Sequence, residues 1–294
     1  PSLMRKAGAK SYENYSKKIL KISNKKPVSL EVFSDDYLSM KNQALKIKEW
    51  GKNIYVKIPI TNSKGKFTGK LIKKLMVILY KEGLKRAKSV IFQNSDDEEL
   101  FYKLKIIPSN MSTSIVHGSG VDLNHYPFSI PSKRPIFLML ARLLIDKGVR
   151  EYAEAASIVK NKYPNAVFKL AGRLDSNPSS ISSEELNLWI NDGFIEYLGE
   201  ISSVQESLTD CRFYVLPSYR EGTPRSVLEA LATGRPVITT DSPGCRETVI
   251  HGINGLLVSP KNSKSLANAM VQLLEEKDNK NSNISSFVSV SIFY

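Results

Sequence analysis

Beyond residue 135, short and wholly apolar runs alternate with stretches of helical period. Ile136-Phe137-Leu138-Met139-Leu140 is apolar at every position, the signature of a parallel strand covered on both faces. Val149, Tyr152, Ala153, Ala156 and Val159 then recur at helical spacing. Strands are predicted over residues 167–170 and 195–198, with helices over 184–190 and 204–209. Residues 213–216 read as another buried strand and 217–220 as the loop leaving it. Residues 226–233 read as a helix closed by Gly234, and 236–240 as the next strand. A helical turn over 244–250, a strand over 255–258 and a helix carrying Leu266, Met270, Leu273 and Leu274 complete the series. This alternation predicts an α/β fold with a doubly wound parallel sheet.

Upstream the pattern is sparser. Residues 81–88 and 96–104 read as helices, and 89–93 and 113–116 as strands; Asp96-Asp97-Glu98-Glu99 favours the positive end of its helix. Val28 to Phe33 and Ile54 to Thr61 form two further apolar stretches. The segment from Asn279 is rich in Ser and Asn and ends in the alternating Phe287 to Tyr294. It fits either a strand or a poorly ordered end.

Doubly wound sheets bind ligands beyond the carboxyl ends of their strands, where the polar residues of this chain collect. Glu221-Gly222-Thr223-Pro224-Arg225-Ser226-Val227-Leu228-Glu229 sets two carboxylates eight positions apart across a strand-to-helix turn. Glu221 is expected at a helix amino terminus, where backbone N–H groups and the dipole favour an anion. Glu229 lies about two turns further on, a second acceptor for hydroxyl groups. Arg142 and Lys147 follow the strand at 136–140 and suit a diphosphate, Arg bidentately. A phosphate at a helix mouth with carboxylates for hydroxyls fits a nucleotide-sugar. Gly172 and Gly199 follow strands and allow close backbone approach. Taken singly, these cations also fit helix-flanking surface charges, and these glycines fit turns.

Composition changes this picture at one point. The chain has 294 residues, 41% hydrophobic and 24% charged, as expected of a globular protein of one large or two smaller domains. The net charge is +13, and residues 1–75 carry 18 Lys and Arg against 5 Asp and Glu, whereas the remainder carries 24 of each. Such a step marks a boundary between segments of different origin and argues against a nucleic-acid-binding surface spread along the chain. Cys211 and Cys245 are too few for a disulfide framework, which suits a reducing cytosol. His117, His125 and His251 lack metal-ligand spacing, so no metal is expected. No apolar run reaches the roughly 18 residues of a spanning helix. The chain opens at Pro1 without an initiator Met or signal peptide, as a fragment does.

The Glu221/Glu229 spacing resembles the E-x7-E signature of the family 4 retaining glycosyltransferases, which have the two-Rossmann GT-B fold. Ala141-Arg142-Leu143-Leu144-Ile145-Asp146-Lys147-Gly148-Val149, Pro243-Gly244-Cys245-Arg246-Glu247 and Asn254-Gly255-Leu256-Leu257-Val258 match in family order, from about Leu79 to about Lys277. The resemblance implies transfer of a hexosyl unit, with retention, from a nucleotide-sugar, expected to be UDP-linked. The acceptor would be a glycan or polyprenyl-linked, with no metal and no cofactor. Arg142 and Lys147 would stabilise the departing diphosphate, and Glu221 would hold donor-sugar hydroxyls with N–H groups of the loop Gly222-Thr223-Pro224-Arg225, in which Pro224 itself has none. Glu229 would hold the ribose, and the base would pack near Gly199. A cytoplasmic location follows, with room for peripheral association at the inner face of the membrane. Gly118-Ser119-Gly120-Val121-Asp122 matches the interdomain connection, while most of the acceptor domain has no counterpart.

Residues 1–75 resemble instead the transaldolase family, a (β/α)₈ barrel, in Pro1 to Gly8, Val28 to Phe33 and Ile54 to Thr61. The family's Schiff-base lysine falls on Lys57 and a proton-transfer carboxylate on Glu31. The expected domains are a partial barrel-like segment at 1–75, a remnant of the first Rossmann domain at 76–133, the donor domain at 134–278 and a tail at 279–294, with a fusion junction near 71–78. A binding module without turnover and a transaldolase-like lyase are the alternatives to a glycosyltransferase.

Overall fold

The computed structural model describes residues 11–23, 26, 28–31, 37–57, 69–175, 177 and 179–275. The expected tail, the matched segment 1–8 and the end of the strand expected over 54–61 lie outside the described residues. The chain divides into two compact units. One comprises residues up to Lys88 with Phe101–Met111, and the other Ser89–Leu100 with residues from Ser112 onward.

In the first unit, α1 (Tyr12–Ile22) is capped by Ser11, whose hydroxyl accepts the Asn14 N–H at 3.3 Å. Next come β1 (Val28–Glu31), α2 (Tyr37–Lys48) and β2 (Ile54–Lys57), a βαβ unit with parallel strands in which Glu31 and Lys57 share the last register row. Leu30, Met40, Ala44 and Ile47 form its buried core, against which Trp50, Val56 and Leu75 pack. Two strands are all the sheet this unit has among the described residues, so the expected barrel-like segment is seen only as a βαβ unit.

α3 (Gly69–Leu84) corrects the sequence reading, which places a helix over 81–88. The helix starts twelve residues earlier, because the apolar stripe containing Leu75 binds it to the core. It ends where Lys85 and Arg86 turn the chain. The expected junction at 71–78 therefore falls inside one continuous helix.

The second unit begins with β3 (Ser89–Phe92), the start of α4 (Ser95–Lys103) and β4 (Ser112–Ile115), which pairs parallel to β3. The main sheet follows. It alternates β5 (Ile136–Leu140), α5 (Val149–Lys162), β6 (Val167–Ala171), α6 (Ser183–Asn191), β7 (Glu196–Gly199), α7 (Val204–Asp210) and β8 (Phe213–Leu216). α8 (Arg225–Ala232), β9 (Val237–Thr240), β10 (Gly255–Val258) and α9 (Ser263–Glu275) complete it. All six strands are parallel in the order β10-β9-β8-β5-β6-β7. The order reverses between β5 and β8, which makes that gap the topological switch point.

Register places Phe213, Phe137 and Phe168 in one row across β8, β5 and β6. Their rings stack at 4.8 and 5.0 Å between centroids, at the centre of the buried core. The apolar positions that predict strands and helices are the ones buried here, because a parallel sheet must be covered on both faces.

Two boundaries shift at the polar edge. α8 begins at Arg225, one residue earlier than the sequence reading, with Pro224 extended at the cap (φ −71°, ψ 111°). Glu221 is therefore not at the helix mouth as expected: it stands four residues ahead of the first helical residue, in a loop. The helical turn expected over 244–250 is a short 3-10 segment, Arg246–Thr248.

Arg235 ties the ends of three segments together from a fully buried position. Its Nε donates to the Leu208 carbonyl at 2.7 Å, Nη1 to Ser129 at 2.7 Å and to Thr233, and Nη2 to Thr209 at 3.0 Å. A guanidinium without a carboxylate partner is tolerable there only because carbonyl dipoles surround it. Arg235→Met keeps the volume but strips these carbonyls of their donor. A loss of about 2–4 kcal/mol is expected, read as a lower urea midpoint at unchanged slope.

Candidate functional site

The loops after β5 and β8 meet at the switch point because glycine allows them to touch. Gly148 has φ +73°, and a Cβ there would overlap the Pro217 carbonyl oxygen. The Asp146 carbonyl accepts the Tyr219 N–H at 2.8 Å and the Ser218 hydroxyl at 3.2 Å. This lacing brings Lys147 Nζ to 2.6 Å from Glu221 Oε1, with the two side chains 18% and 16% exposed.

The loop after β9 supports the carboxylate from below. Glu221 N–H donates to Pro243 O at 2.9 Å, and the Ser242 hydroxyl donates to Ser218 O at 3.2 Å. Gly244 has φ +81°, and a Cβ there would collide with the carbonyl oxygens of Glu221 and Gly222. Among the described residues, the N–H groups of Gly222 and Thr223 donate to no protein acceptor. They are the backbone donors this loop can offer a ligand.

Residues 93–97 hold the same loop from another side. Asn94 is fully buried; its Nδ2 donates to Gly222 O at 3.0 Å, and its Oδ1 caps α4 by accepting the Asp97 N–H at 2.8 Å. The Thr223 hydroxyl donates to Gln93 O at 3.1 Å. Asp97 pairs with Arg220, and Asp96 with Arg246 at 3.0 Å. Sequence reasoning assigned these acids to a helix start and missed Asn94. Its signal was the Asn-Ser-Asp-Asp order of an N-cap, which says nothing about the loop it would reach.

The other expected side chains are paired elsewhere than with Lys147 and Glu221. Arg142 is exposed and its Nη1 lies 3.4 Å from Asp175 Oδ2. Gly172 and Gly199 sit together, the Gly172 N–H donating to Gly199 O at 2.8 Å, while the Tyr197 hydroxyl donates to Gly172 O at 2.7 Å. Glu229 is buried on α8, where Arg225 Nε donates to its Oε1 at 2.9 Å. Burial, then the Glu229 charge, pushes the facing Tyr126 hydroxyl up in pKa. Arg225 itself is exposed, and Pro224 is buried at the cap of α8. Lys57 and Glu31 stand on one register row of the first unit.

The remaining titratable groups are mostly accounted for locally. The thiols of Cys211 and Cys245 are free and buried, and burial pushes Cys211 up to about 12. His251 Nδ1 accepts the Leu257 N–H at 3.0 Å, and the His125 ring packs edge-on against Tyr126. Glu247 differs. Both its oxygens are shielded from solvent without a well-aligned donor, and burial, with Asp96 adding to it, raises its pKa. It lines a cavity of about 90 Å³ with His117, Val121, Leu228 and Leu231.

The glycosyl transferases group 1 family model matches residues 122–287, more than half of the sequence and all of the main sheet. The chain belongs to that family. Among curated glycosyltransferases, it is 35% identical over 225 residues to the Campylobacter jejuni N,N'-diacetylbacillosaminyl-diphospho-undecaprenol alpha-1,3-N-acetylgalactosaminyltransferase, covering 72% of this chain and 57% of that protein. It is 28% identical over 204 residues to the Escherichia coli UDP-Gal:alpha-D-GlcNAc-diphosphoundecaprenol alpha-1,3-galactosyltransferase, covering 64% and 51%. The chain thus spans about half the length of these glycosyltransferases. Anabaena HepE, solved in complex with UDP, has a similar fold: TM-score 0.63 at 18% identity, over 93% of this chain and 76% of that one. A second family model, transaldolase/fructose-6-phosphate aldolase, matches residues 1–80 and so ends within α3.

Two outcomes test this geometry. Gly244→Ala should displace the Glu221–Gly222 backbone, lowering the urea midpoint while the far-ultraviolet dichroism stays near that of the parent. Glu247 has a folded pKa above its unfolded one, so its contribution is most favourable at low pH and is lost as pH rises through that window. Glu247→Gln should therefore raise the urea midpoint at pH 7, with the gain vanishing near pH 4.

Proposed function

We propose that residues 134–278 bind a nucleotide-sugar, UDP-linked, as the donor half of a family 4 retaining glycosyltransferase with the GT-B fold. The observation that carries this reading is the Lys147–Glu221 pair at 2.6 Å, made by two loops that leave the sheet at its switch point. Lys147 turns toward the donor diphosphate and, with Arg142, neutralises charge as the nucleoside diphosphate leaves. That releases Glu221 to accept hydroxyls of the donor sugar, beside the N–H groups of Gly222 and Thr223. Glu229 holds the ribose, and the base lies near Gly199 and Gly172. No metal enters this scheme, since the lysine and arginine supply the positive charge.

The relatives' names guide the rest. Two of them carry a diphosphoundecaprenol-linked saccharide and an alpha linkage, and HepE was solved with UDP. We infer a hexosyl transfer to a polyprenyl-diphosphate-linked glycan at the cytoplasmic face of a membrane. No described helix is long and apolar enough to cross one. A second reading, a nucleotide-sugar module without turnover, is favoured by one observation: residues 1–80, ahead of the donor half, match a different family model. Lys57 and Glu31 share one register row of two strands within the stretch that resembles a transaldolase, and two strands are too little of a barrel to propose lyase chemistry.

Titration with UDP and with UDP-hexoses, followed by assays of donor hydrolysis and of transfer to an undecaprenyl-diphosphate-linked sugar, separates these readings. Saturable UDP binding that survives EDTA is expected. Glu221→Gln should cut transfer or hydrolysis by about 100-fold, the scale of losing one aligned polar partner of a transition state. Binding with no turnover of any donor supports the module; failure to bind UDP at all would sink the donor assignment.

A further inference from the structure

We propose that the outer face of α3 and the groove beside it form a docking surface for anionic lipid. Every residue of this surface belongs to the first compact unit. Met76, Leu79 and Tyr80 are spaced three and four apart along α3, and they are 43%, 52% and 44% exposed. On a helix that spacing makes one stripe. Lys73 and Lys81 are exposed on the same helix, whose one acid is Glu82. Lys85, Arg86 and Lys88 follow directly.

The groove continues the same chemistry. About 690 Å³ in volume, it is lined by Lys81, Lys85 and Lys105 over Leu84, Ile106 and Ile107, and no carboxylate is among its lining residues. Its three ammonium groups suit phosphate, and its floor suits hydrocarbon. An exposed apolar stripe edged with lysines matches a membrane interface, where the stripe enters the acyl boundary and the lysines meet headgroups. A polyanion such as RNA would use the lysines and leave Met76 and Leu79 in water. The whole net charge of the chain resides in the first 75 residues, so this unit is also the one an anionic surface attracts from a distance. The lipid-linked acceptor of the proposed function gives such a surface a purpose, and to that extent the inference rests on that reading. Its test needs no sugar.

The full chain is sedimented with vesicles of phosphatidylglycerol and phosphatidylcholine, and with phosphatidylcholine alone. Binding to the anionic vesicles, weakened by 0.5 M salt, is expected. Reversal of three charges (Lys81→Glu, Lys85→Glu and Lys105→Glu together) should lower it more than tenfold, at about fivefold per charge lost. Lys264→Glu on α9 should leave it unchanged. Leu79→Ser should weaken binding severalfold in a way salt does not mimic, and dichroism confirms that each variant is folded. Absence of binding to anionic vesicles, equal binding by the triple variant, or binding to heparin without binding to vesicles would each overturn the proposal. UDP affinity, measured on the same samples, reports separately on the donor site.

Discussion

A parallel sheet whose strand order reverses must leave a gap at the reversal. In this chain the connection from β5 leads on to β6 and that from β8 to β9, so the two segments part beyond the crevice, while the loops themselves touch at Gly148 and Pro217. Every polar feature of the site is a response to that gap. Lys147 comes from one lip and Glu221 from the other, and their ion pair is the direct side-chain bridge across it. Both side chains are mostly withdrawn from water, so each has given up hydration that only the other replaces. Such a pair holds the crevice in shape without a ligand. In the donor complex proposed above the lysine exchanges partners, because a diphosphate offers the ammonium more charge than one carboxylate does.

That exchange is useful only if the carboxylate stays put when the lysine leaves. The loop around Glu221 is held at its backbone, by Pro243 through one hydrogen bond and by Gly244 through a contact that leaves no space for a Cβ. Asn94 takes the next carbonyl, at Gly222, while capping α4 with its other amide atom. Position is thus fixed by main-chain contacts and charge by side chains. The side chains can respond to a ligand while the frame does not, which is the separation an aligned electrostatic site requires.

How much of this could be read beforehand depended on the range of the interaction. Strand and helix periods are local, and residues 136–140, 213–216 and 255–258 fold where their apolar runs place them. The conjunction of Lys147 with Glu221 needs β5 beside β8, an order that alternation alone does not fix; the sequence put both residues only at the carboxyl edge of the sheet. The role of Asn94 was out of its reach. Its partner is 128 positions away, and an Asn before a helix looks the same whether or not it touches a distant loop. The start of α8 was misjudged by one residue for a different reason. Pro224 donates no N–H and ends the loop in extended geometry, so the helix begins directly after it, leaving Glu221 upstream of the dipole.

The step in charge near residue 75 and the change of family resemblance both point to a join, yet the structure shows no break there: α3 runs unbroken from Gly69 to Leu84. A helix tolerates a join better than a strand does. Its hydrogen bonds reach only four residues along its own chain, whereas a strand spliced one residue out of phase turns every side chain to the wrong face. Continuity of the apolar stripe is the remaining demand, and Leu75 meets it by packing on the core of the βαβ unit. The other side of the helix has only partial cover, the Tyr80 ring meeting Phe101 edge-on at 5.2 Å between centroids, because the sheet on that core has only two strands among the described residues. Met76, Leu79 and Tyr80 stand exposed for that reason. Lys73, Lys81 and Lys85 are exposed beside them, so whatever meets this stripe meets positive charge as well.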